Sequence, residues 1–225
     1  AEDLESRRLV GEYTRAMDRQ LDEIIAVSKM PLDATQVNLT QETSLGRLIA
    51  GVFKRKLCAD VVFINGSGIR SNAVYPAGEI TRKIVGAILP FHNTLVLLEI
   101  KGATLLAVFE HGLSHFPNPS GAFPHVAGIQ ITFDPAKPPG HRIVSAKVDG
   151  KPLDPNQIYK LATDSFLAGG GENYTLLQNL KQLVSRVAGP SEASSVMDAL
   201  SGRRQIEVDH LSNIGSINDP PLTIK

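Results

Sequence analysis

Apolar residues at positions 9, 13, 17, 21, 24 and 25 recur at spacings of three and four, and no proline intervenes before Pro31. This spacing predicts one amphipathic helix over residues 4–27. The stretch that follows, "KMPLDATQVNLTQ", reads as an extended connection. A second helix is expected over residues 43–57, with Leu45, Leu48, Ile49, Val52 and Phe53 on one face. Residues 59–64 then form a short β-branched run of the kind a buried strand shows. Thr81 is a candidate N-cap for a short helix in "TRKIVGAIL". A strand over 95–100 leads through Gly102 into a helix over 104–116, whose apolar face is Leu105, Val108, Phe109, Leu113 and Phe116.

Beyond "PNPSG" the pattern changes to strands over 129–133, 142–148 and 159–163. "VDGK" at 148–151 signals a hairpin, because Asp-Gly accommodates positive φ. The loop "DSFLAGGGENY" follows, then two polar stretches expected to be helical and a tail ending "NDPPLTIK". No repeat of fixed period is present. Strands and helices mix without strict βαβ alternation, which favours an α+β fold over a doubly wound one.

Composition narrows the class. The 225 residues are 42% hydrophobic and 20% charged, as in soluble globular proteins that bury a core. Lys+Arg and Asp+Glu balance at 23 each, so no net field draws the chain to nucleic acid. Cys58 is the sole cysteine, which rules out an internal disulfide and a cysteine-built zinc site. No run approaches the roughly 20 apolar residues that span a bilayer. The start, "AEDLESRRLVGEY", lacks the basic and apolar regions of a signal peptide; a mature form, an excised piece or a cytoplasmic protein are all compatible with it.

The first stretch with chemical promise is "FINGSGIRSN" at 63–72, a glycine loop directly after an apolar run. A dinucleotide fingerprint must open a helix, and here Pro76 and Gly78 intervene before the next one. No G-x-x-x-x-G-K-[ST] occurs, so a P-loop is excluded. What remains is a loop whose small residues admit a ligand to the backbone, with Arg70 suited to a phosphate. The alternative is a tight turn with Arg70 solvated. His111 and His115 lie four apart on an expected helix and could share a metal, although no third ligand is evident. No nucleophile elbow appears, and Cys58 has no evident base.

Taken in order, "ETSLGRLIA", "NGSGIR" (65–70), "ILPFHNTL" (88–95), "KGATLLAVFEHGL" and "SFLAGGGENY" (165–174) resemble the C-terminal domain of the 5′-nucleotidase family, which includes UDP-sugar hydrolases. The resemblance covers residues 37–177 well and the leading helix loosely. It implies a layered α/β/β/α domain of mixed sheets over 37–225, with residues 1–36 as a linker helix and extended connection. It also implies that Asn65, Gly66, Gly68 and Arg70 contact the base and ribose-phosphate of a nucleotide or nucleoside. Phe91 and Phe166 would sandwich the base, with Gly170 and Glu172 completing the substrate site. A base offers both rings a flat face, each stack being worth about 1–3 kcal/mol. The reading from residues alone leaves both phenylalanines open as core aromatics.

By the same resemblance, hydrolysis belongs to an N-terminal metallophosphoesterase domain carrying two divalent metal ions, and the setting is periplasmic or extracellular. The D-x-H and G-N-H-[DE] ligand motifs of such a domain do not occur in these residues, so the chain by itself is expected to be inactive, with no cofactor of its own. Two positions depart from the family pattern. Ser67 stands where a middle glycine is usual, and Glu172 where aspartate is usual. An upstream arginine seen in some relatives falls near Gln41. Two rival readings remain: a stand-alone binding or scaffold module that kept the fold without the ligand, and a hydrolase using a metal at His111 and His115. Sequons at Asn38, Asn65 and Asn173 are discounted as glycan sites, because two of them lie in the site loops.

Overall fold

The computed structural model describes residues 3–201, 206 and 214–216. The elements run α1 (Leu4–Leu21), β1 (Ile24–Ser28), β2 (Leu32–Asp33), α2 (Ser44–Leu57), β3 (Val61–Asn65), β4 (Val74–Tyr75), β5 (Gly78–Thr81), α3 (Arg82–Ile88), β6 (Leu95–Lys101), α4 (Gly102–Gly112) and β7 (Pro124–Ala127). There follow β8 (Ile129–Phe133), β9 (Ile143–Val148), β10 (Lys151–Pro152), β11 (Ile158–Asp164), β12 (Lys181–Val184), α5 (Glu192–Ser201) and β13 (Ile214–Ser216). From Asp164 onward, short 3-10 turns carry the chain to β12. The tail beyond Ser216 lies outside the described residues.

The central sheet has the order β12-β6-β11-β3-β7, antiparallel except where β11 runs parallel to β3. All five residues of β3 are buried because both faces of the sheet are covered. Alternation sends Val62, Ile64, Leu95, Leu97 and Ala162 to one face, against α2, α3 and α5. It sends Val61, Phe63, Val96, Leu98 and Leu161 to the other, against α4 and the second sheet, β10-β9-β8-β13. The fold is therefore α+β with mixed sheets.

The start of the chain differs from the sequence expectation. The helix over 4–27 ends at Leu21, and residues 24–28 are a strand paired antiparallel with β5. Ile24, Ile25 and Val27 are β-branched, and a sheet edge was available to them. The segment read as an extended connection also has a partner, since β2 pairs with β4. Thr43 and Thr81 cap α2 and α3, accepting from the N–H of Gly46 and Ile84.

Three further boundaries bear on the site. Helix α4 stops at Gly112, not 116. Pro117 brings no N–H for Leu113, and the buried Arg142 donates instead to the carbonyls of Leu113 and Phe116. Residues 181–184, expected to be helical, form the edge strand β12, whose exposed side chains explain the polar reading. Asp149 and Gly150 adopt φ of 48° and 77° and close the β9–β10 hairpin.

Candidate functional site: an aromatic-walled cavity over the central sheet

The glycine loop grows directly from the C-terminal end of β3. Asn65, 2% exposed, donates from Nδ2 to Ser67 Oγ at 2.8 Å and to the Gly121 carbonyl at 3.1 Å. Ser67 Oγ then donates to Glu172 Oε1 at 2.6 Å, across 105 positions of sequence. The two residues expected from the resemblance to be departures thus touch each other. The Glu172 carboxylate reaches the Ser67 hydroxyl, and the bond fixes one carboxylate oxygen.

Gly66 is required by close approach. A Cβ there would lie 2.2 Å from the Asn38 carbonyl oxygen, so the loop and the 36–39 turn are in backbone contact. Gly66→Ala should push these segments apart and cost about 1–3 kcal/mol or more, since backbone cannot yield as a side chain can. Denaturant unfolding would show a lowered midpoint; an unchanged midpoint would contradict the contact. Asn38 and Asn65 are buried in the fold, 1% and 2% exposed, which removes them as glycan acceptors once folded.

The second glycine loop leaves β11 at Asp164. Asp164 Oδ1 accepts from the Leu167 N–H at 2.8 Å and shapes the turn that carries Phe166. Gly171 lets the Phe166 ring lie against the backbone, since a Cβ there would meet the ring within 2.4 Å. Gly170 supplies a left-handed turn at φ 90°. Glu172 sits at φ 51° and is held through its carbonyl, which accepts from His111 Nε2–H at 2.8 Å. His111 also stands edge-on to the buried Tyr174, whose hydroxyl donates to the Ala122 carbonyl at 2.7 Å.

These loops enclose a cavity of about 360 Å³ lined by Asn65, Ser67, Gly68, Arg70, Phe91, Asn93, Phe166 and Glu172. Phe91 and Phe166 are 47% and 45% exposed, so neither is a core aromatic. The exposed Arg70 guanidinium lies 5.7 Å from the Phe91 ring centroid, within cation–π range. Of the residues named from sequence, six line this cavity. Gly66 lines a second cavity of about 360 Å³ that shares Ser67 and Arg70 with the first, and Gly170 lines neither. Asn93 was not named from sequence; its place two residues after Phe91 was the available signal.

Because α4 ends early, His111 and His115 are not one turn apart on a helix, and His115 bonds Ser114 instead. Among the described residues no group of three or more His, Cys, Asp or Glu could hold a metal ion. The described residues therefore do not fit a two-metal centre. Among the described residues no helix is long and apolar enough to cross a membrane.

A profile of the family described as 5′-nucleotidase, C-terminal domain, matches residues 24–179. The chain belongs to that family. This 5′-nucleotidase C-terminal domain is 31% identical over 185 residues to the trifunctional nucleotide phosphoesterase protein YfkN of Bacillus subtilis, covering 78% of the chain and 12% of that protein. It is 32% identical over 190 residues to protein UshA of Yersinia enterocolitica, covering 82% of the chain and 32% of that protein. The solved structure of a 5′-nucleotidase precursor from Thermus thermophilus superposes with a TM-score of 0.83 at 31% identity, covering 97% of this chain and 44% of that one. The chain thus spans less than half the length of each of these relatives.

Proposed function

We propose that the chain is the substrate-recognition domain of a 5′-nucleotidase-like enzyme, gripping base and ribose of a nucleotide and presenting its phosphate to a separate metallophosphoesterase domain. The observation that carries this is two half-exposed phenylalanines lining one cavity together with an arginine and a carboxylate. Phe91 and Phe166 take the faces of the base, which suits any base because every base has a π-face. Glu172, with one oxygen held by Ser67, presents the other to ribose hydroxyls. Arg70, backed by the Phe91 ring, offers its planar fork to a phosphate oxygen pair. Two divalent ions in the partner domain would supply an acidified water and stabilise phosphoryl charge; this chain's part is binding and orientation. Residues 1–36 are proposed as the connection to that domain, and the compartment as periplasmic or extracellular.

Calorimetric titration with AMP and adenosine tests the reading. AMP is expected to bind more tightly than adenosine, and Arg70→Ala to remove that difference while leaving adenosine binding close to the parent's. Arg70→Lys should restore little of it, since an ammonium cannot make the paired contact. Absence of heat with both ligands, and no ligand-induced thermal shift, would favour the scaffold reading instead.

A further inference from the structure

Behind the cavity wall lie two carboxyl groups that the binding scheme does not use. Glu192, at the start of α5, is 5% exposed, and Asp164, at the end of β11, is 3% exposed. Alternation along β11 sets Asp164 on the face of Ala162, toward α5, and the field of Asp164 reaches Glu192. The segment 190–192 runs antiparallel to 93–95: Leu95 N–H donates to the Pro190 carbonyl at 2.8 Å and Glu192 N–H to the Asn93 carbonyl at 3.1 Å. Directly opposed residues of an antiparallel pair share one face, so the Asn93 and Glu192 side chains are neighbours, and the Asn93 amide acts to favour the charged form of the Glu192 carboxyl. One turn along α5, the buried Ser195 hydroxyl has no hydrogen-bond partner among the described residues and so does not bond Glu192.

Both arms of the clamp run through this spot. Thr94, three residues after Phe91, donates from N–H to Ser165 Oγ at 3.2 Å and accepts from Ser165 N–H at 2.8 Å. Asp164 holds the turn of Phe166 through the Leu167 N–H. We propose, resting on the functional reading above, that Glu192 is a positioning residue that fixes the clamp: it holds the Asn93 amide at the cavity wall and, against Asp164, sets the spacing of the Phe91 and Phe166 arms. Burial raises both carboxyls, and the Asp164 charge raises Glu192 further, so the pair favours retaining a proton over mutual repulsion.

Calorimetry with AMP on the folded chain tests this through variants of Glu192. Glu192→Gln keeps an acceptor for Asn93 and a donor toward Asp164, and is expected to bind within about twofold of the parent. Glu192→Leu keeps the volume and loses both interactions, and is expected to bind at least about tenfold more weakly while still unfolding cooperatively. Rescue by Gln but not Leu is what a packing role alone would not give; equal affinity of the two variants overturns the proposal. Should the Leu variant fail to fold, Glu192→Asp, which draws the carboxyl back by one methylene, replaces it, and parent-like binding there overturns the proposal. A parent chain that does not bind AMP defeats the functional reading instead. The Asn93 side-chain amide resonances then decide the Glu192 question: they must stay in place with Gln and move with Leu or Asp, and any other pattern refutes it.

Discussion

Alanine at both Phe91 and Phe166 is expected to weaken AMP binding from about thirtyfold to about twenty-thousandfold, with little change in the thermal midpoint of the free chain. Each base–ring stack is worth about 1–3 kcal/mol, so two sum to about 2–6 kcal/mol, at about 1.4 kcal/mol per factor of ten. A base freed from one ring can shift to stack better on the other, so each single variant should lose less than its full share and the double variant more than the two singles together. The stability half of the expectation separates this reading from its rival. A core phenylalanine cut to alanine costs about 3–5 kcal/mol, whereas these rings already leave 47% and 45% of their surface open. Unchanged AMP affinity in the double variant would end the clamp assignment, and a large loss of stability without ligand would return both rings to the core.

The sequence carried the local grammar of this fold well where one residue decides a boundary. Thr43 and Thr81 cap their helices, and Asp149-Gly150 turns its hairpin, because each supplies a hydroxyl or a left-handed backbone at the place it stands. Boundaries set by a distant partner were not legible. Residues 24–28 continue the helical spacing of α1, and only pairing with β5 makes them a strand. Residues 181–184 look polar because β12 has a neighbour on one side only. The helix over 104–116 loses its last turn to Arg142, which arrives from about thirty residues downstream. The site divides the same way. Phe91, Arg70 and Phe166 were named from motifs, but the Ser67–Glu172 bond, which turns two apparent departures into one contact, spans 105 positions. Asn93 and Glu192 meet only because the chain returns antiparallel at Thr94 and Ser191. No periodicity in either segment announces that return.

The acid side of the stability curve should be governed in part by His125, which is fully buried at the centre of the lattice that holds the first glycine loop. Its Nε2–H donates to the Asn38 carbonyl at 3.0 Å, the oxygen that Gly66 abuts, and its Nδ1 accepts from the Thr43 N–H at 3.4 Å. A ring that accepts at Nδ1 must be neutral, and Gly46 packs so closely that a Cβ there would lie 2.0 Å from Nδ1, leaving no room for water. Burial lowers His125 from 6.5 to about 4; the Asn38 bond opposes this and the Arg47 charge adds to it. The folded chain therefore refuses a proton that the unfolded chain takes up near its ordinary value. Stability from this group is fully present above about pH 6.5 and falls as the pH drops toward 4, by about 3 kcal/mol. Asp164 and Glu192 act with the opposite sign: raised to about 6 and about 8, they stabilise most below their ordinary carboxyl range and lose that contribution as the pH rises through those values. The parent curve is thus a composite, and His125→Gln isolates one limb of it. Measured by denaturant unfolding, the parent's advantage over that variant should shrink by about 3 kcal/mol between pH 7 and pH 4. A difference that stays constant over this range would mean that the histidine is already charged or already exposed, and the lattice beneath Gly66 would need another anchor.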